Sequence, residues 1–246
     1  MIYEAIILAA GPGKRFYKET RKYKLLIDIH GYKLIEYPLN SLIHAGIKNF
    51  VIVVNNRYYE SIKGLLSKYK VNITYIINHE ISKGNGYSLI LGIPYIESKY
   101  FIVSMADHIY PPSIVKELLK KFHGKPCLGG DSNPKYIELE EATLINVEDN
   151  IIIDIGKRLS SYKYVDMGIH ILSKDMPYDQ CISARIELSA LIKCLSKKTR
   201  IFLIDISGKP WTDIDTYNDY LSVTHGPWKV VVEKVIKEWS LIKSSR

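Results

Sequence analysis

Residues 6–15 read Ile-Ile-Leu-Ala-Ala-Gly-Pro-Gly-Lys-Arg, an apolar run that ends in a turn rich in glycine and proline. Such a run predicts a buried strand whose carboxyl end opens into a loop, and that end is where open α/β sheets bind ligands. Gly11 and Gly13 let the backbone approach a ligand and direct N–H groups at phosphate oxygens. Arg15 and Lys24 supply positive charge. The stretch therefore predicts a loop that binds a nucleoside triphosphate.

Two common nucleotide-binding motifs do not fit this loop. A P-loop requires Gly-Lys-Ser/Thr at the start of the helix, and the dinucleotide fingerprint requires a third glycine three residues after the second. Gly13 is followed by Lys-Arg-Phe, so neither pattern is completed. From the loop alone, an ordinary strand-to-helix turn with solvated lysines is an equal alternative.

The composition is that of a globular protein with a substantial core. The chain has 246 residues, of which 47% are hydrophobic, enough for one large α/β domain or two small ones. It carries 34 basic and 26 acidic residues, a net charge of +8. These charges are interspersed, and the aromatic-rich patterns of RNA-binding modules do not occur. We therefore expect a small polyanionic substrate or mere surface solubility, and no nucleic acid.

The cysteines and the amino terminus bear on the compartment. Cys127, Cys181 and Cys194 are too few and too scattered for a disulfide framework or a thiolate zinc site, which indicates a reducing, intracellular compartment. The amino terminus leads into the first strand without a charged leader, and no apolar run approaches membrane-spanning length. We expect a cytoplasmic protein without stable membrane insertion.

After the loop, strands and helices alternate. Helices are predicted at residues 34–45 and 58–69, and strands at residues 49–54 and 72–77. This alternation indicates right-handed crossovers and a mostly parallel sheet. The glycine-containing loop that follows, with Gly84 and Asn85, either lays backbone and side-chain amides against a nucleotide base or is an ordinary helix entry capped by Asn85.

A strand predicted at residues 100–106 ends just before Asp107. It therefore places Asp107 at the same sheet edge as the loop that contains Gly11 and Gly13, here called the glycine loop. A carboxylate there is well placed to bind Mg²⁺, which prefers carboxylates together with phosphate oxygens. Capping of the helix after Pro111-Pro112 is the alternative. We favour the metal role because Asp107 lies well upstream of that helix.

From about residue 125 the pattern changes to shorter strands joined by turns such as Asp149-Asn150. This half predicts an antiparallel extension that carries a second binding site. The predicted elements are strands at 127–129, 142–147, 151–155, 164–172 and 201–206, and a helix at 185–195. The candidate residues in or beside the site are Asp154, Lys157, Asp166 and Gly168.

A second acidic strand follows at Trp211-Thr-Asp213-Ile-Asp215. In extended geometry Asp213 and Asp215 share a face, so one or both would meet Asp107 across a metal ion. Asp215 would also cap a helix that begins near Thr216, and both roles can hold at once. The last predicted helix, residues 228–242, is amphipathic and is expected to pack on the domain through Val231, Val235, Trp239 and Ile242.

Taken in order, these pieces resemble the sugar-phosphate nucleotidyltransferase superfamily of MobA-like and GT-A-like NTP transferases. Residues 8–15 resemble its signature loop, Lys24 its phosphate-binding lysine, Asp107 its metal aspartate, and residues 211–215 its second metal strand. Within the superfamily the chain is most similar to the archaeal CTP:inositol-1-phosphate cytidylyltransferases. The motifs that carry this closer likeness lie at residues 83–89, 107–110, 154–157, 165–168, 187–189 and 211–216. Two positions depart from the family pattern, Tyr23 for a proline and Met167 for a threonine.

The resemblance implies an α/β fold, a Rossmann-like three-layer αβα arrangement with a mixed, mostly parallel sheet and a small antiparallel extension. Since no linker is evident in the sequence, we expect one domain over residues 1–246. We expect the nucleotide core at about 1–125 and 200–225, the acceptor region at about 126–199 and the carboxyl-terminal helix at about 227–243.

The activity that the resemblance implies is transfer of CMP from CTP to inositol 1-phosphate, with Mg²⁺, by a monomer or homodimer. A hexose 1-phosphate or phosphocholine acceptor, or UTP or dTTP as donor, would keep the chemistry and change the partners. A nucleotide-binding regulatory module without catalysis is the third alternative, and retention of the lysine and the aspartates argues against it.

The resemblance also assigns roles to individual residues. The catalytic pair is Arg15 and Lys24; the nucleotide-binding set is Leu8, Ala9, Ala10, Gly11, Gly13, Lys14, Arg15, Lys24, Gly84, Asn85 and Asp107; the acceptor set is Lys157, Asp166 and Glu187; the metal set is Asp107, Asp213 and Asp215.

Overall fold

The computed structural model describes residues 2–243, with side chains for residues 2–241. The strands are β1 (Glu4–Ala9), β2 (Asp28–Ile29), β3 (Tyr32–Lys33), β4 (Asn49–Asn55), β5 (Asn72–Asn78), β6 (Tyr100–Met105), β7 (His108–Ile109), β8 (Cys127–Asp131), β9 (Leu144–Glu148), β10 (Ile151–Gly156), β11 (Tyr164–Ser173), β12 (Phe202–Asp205) and β13 (Thr212–Asp213). The helices are α1 (Lys14–Thr20), α2 (Glu36–His44), α3 (Tyr59–Leu66), α4 (Asn85–Gly92), α5 (Pro112–Lys120), α6 (Leu188–Ser196), α7 (Tyr217–Thr224) and α8 (Lys229–Lys243).

Over the described residues, the main sheet has nine strands in the order β5-β4-β1-β6-β11-β8-β12-β10-β9. The strands β5, β4, β1 and β6 are mutually parallel. Strand β11 runs antiparallel between β6 and β8, and the hairpin β9-β10 closes the far edge. The mixed α/β sheet is thus confirmed, and the expected antiparallel extension is continuous with it.

The sheet separates two apolar layers, as a three-layer αβα fold requires. Along β1 the side chains alternate between the layers: Ala5 and Ile7 lie in one core, and Ile6 and Leu8 in the other. The first layer buries residues of α2, α3, α5, α7 and α8, and the second buries residues of α4 and α6.

Most predicted elements lie within a few residues of the observed bounds. The turn between β9 and β10 is formed by Asp149 and Asn150, both with positive φ (49° and 61°), as the hairpin prediction requires. In α8, the predicted face of Val231, Val235 and Trp239 is buried. The side chain of Ile242 lies outside the described residues.

The helix predicted to begin at Arg185 begins instead at Leu188. Glu187, directly before the helix, has an extended backbone, and Ile186 is hydrogen-bonded to a neighbouring segment. The N–H of Ile186 donates to the carbonyl of Lys83 at 2.8 Å, and the N–H of Gly86 donates to the carbonyl of Ile186 at 3.0 Å. These long-range bonds prevent the first turn of helix that the local sequence predicts.

One expectation about the cysteines is wrong. Cys181 and Cys194 form a disulfide, with their Cα atoms 5.8 Å apart, and Cys127 is a buried free thiol. The two partners lie 13 positions apart along the chain, but α6 folds back over the turn that contains Cys181. The scatter of cysteines along the sequence therefore does not exclude a disulfide, and the inference of a reducing compartment loses its basis.

Between residues 2 and 243, no helix has the length and apolar character needed to cross a membrane.

Candidate functional site

The glycine loop lies at the point where the sheet changes its winding direction. From β1 the chain proceeds to β4 and β5 on one side, and then returns to β6 on the other side of β1. The carboxyl ends of β1 and β6 therefore border a crevice, which is the position where open α/β sheets bind ligands. Gly13 occupies the left-handed region with a φ of 59° at the start of α1, a conformation that favours glycine.

A first cavity of about 440 Å³, here called the loop cavity, opens over this crevice. The glycine loop forms one wall, and the segment before α4 forms the opposite wall. Its lining includes these predicted nucleotide-binding residues: Leu8, Ala10, Gly11, Gly13, Lys14, Arg15, Lys24, Gly84, Asn85 and Asp107. Ala9 is fully buried in the first apolar layer, so the structure does not bring its side chain to this lining.

Lys24 is the centre of the charged groups beneath the loop. Its ammonium group donates to Asp107 Oδ2 at 2.6 Å, to Asp215 Oδ1 at 2.8 Å and to the carbonyl of Ile214 at 2.8 Å. Lys24 is only 7% exposed. Burial alone would lower the pKa of this lysine, but the charges of Asp107 and Asp215 outweigh burial and raise it. Lys24 is therefore a permanent cation between the two carboxylates.

Asp107 and Asp213 differ in the direction of their pKa shifts. Burial alone would raise the pKa of Asp107, but the charge of Lys24 and the hydrogen bond from His108 hold it well below its usual range. Burial raises the pKa of Asp213 to about 6, and repulsion from Asp215 and Asp107 adds to this effect against the opposing influence of His108. The carboxylates around Lys24 therefore carry more negative charge than its single positive charge neutralises.

A second cavity of about 620 Å³, here called the acidic cavity, adjoins the loop cavity. It brings together the predicted acceptor residues and the predicted metal residues: Lys157, Asp166, Glu187, Asp107, Asp213 and Asp215. Of the other candidates, Gly168 lines this cavity, whereas Asp154 pairs with Lys193 at 2.7 Å on α6. The two cavities share Arg15, Asn85, Met105, Asp107, Glu187 and Asp215, so bound ligands would meet at these residues.

Arg15 and Lys157 converge on one carboxylate that the sequence did not single out. Arg15 Nη1 donates to Glu141 Oε2 at 2.9 Å, and Lys157 Nζ donates to the same oxygen at 3.2 Å. The second terminal nitrogen of Arg15, Nη2, donates to Asp215 Oδ2 at 2.6 Å. A single anionic oxygen is therefore within reach of both cations. Glu141 stands in a polar loop without periodicity, so no sequence pattern indicated this contact.

Asn85 and Glu187 form the ridge between the cavities. Asn85 Oδ1 accepts from the N–H of Leu188 at 2.6 Å, so Asn85 caps α6 and does not cap its own helix. Glu187 in turn accepts from Arg185 at 3.0 Å. Gly84, with a φ of 91°, lies so close to the carbonyl of Ile186 that a Cβ atom would collide with it. The ridge therefore depends on glycine and on contacts distant in sequence.

The alternative capping roles of the aspartates are excluded by the helix ends. Pro111, and not Asp107, is the N-cap of α5. The expectation that Asp215 caps the following helix is wrong: Thr216 is the N-cap of α7, in a capping box with Asp219. The carboxylate of Asp215 is engaged by Lys24 and Arg15.

Two histidines contact aspartates that line the acidic cavity. His108 Nδ1 lies 2.9 Å from Asp107 Oδ1, and its ring stacks at 12° on Trp211. His170 is fully buried, and its Nε2 lies 2.9 Å from Asp166 Oδ1. Burial alone would raise the pKa of Asp166, but His170 outweighs it and the pKa is lowered. Asp166 is thus a fixed, ionised carboxylate at the cavity wall.

Comparison with known proteins places this site in context. Residues 5–132 match the family model of the MobA-like NTP transferase domain. The chain is 33% identical over 221 residues to a bifunctional IPC transferase and DIPP synthase of Aquifex aeolicus, covering 89% of this chain and 50% of the relative. It is 28% identical over 213 residues to the protein of that name from Thermococcus kodakarensis, covering 86% of this chain and 48% of the relative. The chain spans about half the length of these curated relatives.

The fold and its site region have a similar solved structure. The inositol-1-phosphate CTP transferase from T. maritima superimposes with a TM-score of 0.86 at 28% identity, covering 95% of this chain and 96% of that one. The likeness therefore covers the fold over nearly the whole length of both chains.

Proposed function

Because the chain belongs to the family of MobA-like NTP transferase domains, we propose that it transfers CMP from CTP to inositol 1-phosphate and releases pyrophosphate. The observation that carries this proposal is the meeting of the loop cavity and the acidic cavity at Arg15, Asp107 and Asp215, with Lys24 bonded to both aspartates. The likeness to an inositol-1-phosphate CTP transferase supports the choice of donor and acceptor.

In this proposal the loop cavity binds CTP and the acidic cavity binds the acceptor. An oxygen of the acceptor phosphate forms a bond to the α-phosphorus of CTP, while the bond from that phosphorus to the α,β-bridging oxygen breaks. A phosphomonoester has a second pKa near about 6, so it is a dianionic nucleophile at neutral pH and needs no general base. The chain therefore has to align the reactants and neutralise charge.

The cations at the junction supply that neutralisation. Gly11, Gly13 and Arg15 bind the triphosphate, and Lys24 bridges the α-phosphate and the incoming phosphate. Lys24 is suited to this role because its charge is permanent and its position is fixed by three hydrogen bonds. Lys157 binds the acceptor phosphate.

The carboxylates at the junction fit a divalent ion. Oxygen donors are what Mg²⁺ prefers, and Asp107 and Asp215 already converge on one cation. Among the described residues no group of three protein ligands is arranged around one point, so phosphate oxygens have to complete the shell. We propose Asp107 and Asp215 as the protein ligands, with Asp213 beside them; Mg²⁺ would supply positive charge to the phosphate oxygens.

The acidic cavity favours a polyol over a choline group. A quaternary ammonium ligand calls for a cage of aromatic rings, whereas hydroxyl groups call for carboxylate acceptors. Of the described lining residues, Trp211 alone carries an indole or phenyl ring, and His108 stacks against it. We assign Asp166 and Glu187 to hydroxyl groups of the acceptor.

The proposal also covers the domain organisation and the oligomeric state. We propose that residues 1–246 act as one domain, since β6 of the nucleotide core and β8–β11 of the acceptor region belong to one sheet. We propose a monomer or homodimer that binds no nucleic acid, since its charges are interspersed along the chain.

The test is Mg²⁺-dependent release of pyrophosphate. CTP, UTP, ATP, GTP and dTTP are each combined with inositol 1-phosphate, glucose 1-phosphate or phosphocholine. A signal confined to CTP with inositol 1-phosphate is expected. A signal with another pair would keep the mechanism and replace the substrates, and no signal from folded protein would favour a nucleotide-binding module.

Glu141→Gln is expected to lower the KM for the acceptor by up to about fivefold, the scale of one exposed ion pair. Glu141 occupies Arg15 and Lys157 when no phosphate is bound, so removal of its charge frees both cations for substrate. Steady-state kinetics at saturating CTP measures this. Glu140→Gln makes the same charge change at a neighbouring residue outside the cavity lining, and it should leave the KM unchanged. A raised KM in Glu141→Gln would instead mean that Glu141 binds the substrate.

A further inference from the structure

Tyr23, next to the lysine of the site, contacts the glycine loop from beneath. Its hydroxyl lies 3.0 Å from the carbonyl oxygen of Ala9 and 3.2 Å from that of Gly11. Tyr23 is 6% exposed, and burial raises its pKa. The hydroxyl therefore keeps its proton and donates to the loop. Its ring stacks on Tyr58, with 3.6 Å between the ring centroids and 6° between the planes.

Asn55, at the end of β4, completes this contact. Its Nδ2 donates to the carbonyl of Ala10 at 3.2 Å and to the Tyr23 hydroxyl at 3.4 Å. Its Oδ1 accepts from the N–H of Tyr58 at 3.2 Å. Asn55 is itself 5% exposed. Two buried side chains thus contact the carbonyls of three consecutive loop residues.

These contacts fix the direction of the loop amides. In a planar trans peptide the carbonyl and the N–H point in opposite directions. A carbonyl held toward Tyr23 and Asn55 therefore turns the N–H of the same peptide away from them. The peptides concerned are those that carry the N–H groups of Ala10 and Gly11, and both residues line the loop cavity.

The same residue also connects the loop to the permanent cation. Tyr23 directly precedes Lys24, whose stem packs against Gly13: a Cβ atom at Gly13 would lie 3.2 Å from Lys24 Cγ. A shift of Tyr23 would thus move both the carbonyls of the loop and the lysine beside them. No other described contact of the loop combines these two connections.

We propose that Tyr23 is a positioning residue for the nucleoside triphosphate: its hydroxyl, together with Asn55, holds the glycine loop so that the loop amides face the phosphates. This inference rests on the proposed function for its ligand. Tyr23 does not touch the reacting atoms; it acts through the backbone of residues 9–11.

Tyr23→Phe tests this proposal because it removes the hydroxyl and keeps the stacked ring. We expect CTP to bind about five- to tenfold more weakly, the scale of one hydrogen bond, with the acceptor KM unchanged. Tyr37→Phe is the matched control. It removes an equally buried hydroxyl that donates to the carbonyl of Ile29 at 2.6 Å, away from both cavities, and should leave CTP binding unchanged.

The amide NMR signals of the loop supply a readout that needs no ligand. In the free protein, the amide signals of Ala10 and Gly11 should shift in Tyr23→Phe and keep their positions in Tyr37→Phe, because the carbonyls bonded by Tyr23 and Asn55 belong to the same peptides as these N–H groups. If wild type binds no nucleotide, the proposed function fails, and these signals alone decide whether Tyr23 holds the loop. If Tyr23→Phe does not fold, Asn55→Ser is measured in the same way.

Three results would overturn the proposal. The first is wild-type amide signals of Ala10 and Gly11 together with wild-type CTP affinity in Tyr23→Phe. The second is shifted amide signals with unchanged CTP affinity. The third is an equal loss of affinity in Tyr37→Phe, since that would reflect general destabilisation.

Discussion

Lys24→Met should reduce turnover on the order of 10³-fold at saturating substrates, because an aligned cation at the point of charge development is worth this much in catalysis. Lys24 Nζ donates to Asp107 and Asp215 at the junction of the two cavities, where the reacting phosphates are proposed to meet. Methionine keeps the packing of the stem against Gly13 and removes the charge together with the three hydrogen bonds of the ammonium group. The measurement is kcat from pyrophosphate release, with thermal unfolding in parallel.

The loss of a cation from a buried carboxylate also destabilises the fold, by about 3–5 kcal/mol, so a control must separate the two effects. Lys68→Met removes the ammonium group that lies 2.6 Å from the buried carboxylate of Glu36 in α2. We expect Lys68→Met to lower the unfolding temperature and to keep wild-type turnover. Wild-type turnover in folded Lys24→Met would contradict the role of Lys24.

The fold could be predicted because its elements follow local rules. The apolar run of β1, the paired polar turn at Asp149-Asn150 and the amphipathic face of α8 each depend on neighbours within a few residues. The alternation of strands and helices then restricts the topology. The sheet order beyond β6 was not predictable, since β11 inserts between β6 and β8 by pairings distant in sequence.

The site could be predicted only where residue type and strand position coincide. Asp107 follows a buried strand directly, so its place at the sheet edge was predictable, and the structure brings it to Asp215 through Lys24. The roles of Glu141 and Tyr23 were not predictable, because each contacts residues that lie in other elements. Asn85 was interpreted as a cap of its own helix or a base contact, and its side chain caps α6 across 103 positions of sequence.

Asp107→Asn is expected to lower Mg²⁺-dependent turnover on the order of 10³-fold and to leave the protein folded. The change keeps the shape of the side chain and removes one of the two carboxylates that converge on Lys24. A neutral amide oxygen is a much weaker ligand for Mg²⁺ than a carboxylate. The measurement is the initial rate across a series of magnesium concentrations, together with calorimetry of CTP binding with and without Mg²⁺.

The loss of turnover caused by an Asn substitution should differ among the three aspartates according to the contacts that each makes. Asp215 contacts Lys24 and Arg15 and is expected to match Asp107 in the effect of the Asn variant. Among the described residues Asp213 forms no ion pair with Lys24 or Arg15, and its pKa is raised to about 6, so Asp213→Asn should reduce turnover less. Glu36→Gln, at a buried carboxylate remote from both cavities, controls for stability. If Asp213→Asn were the most damaging variant, the second ligand would be Asp213; unchanged magnesium dependence in Asp107→Asn would contradict the metal role itself.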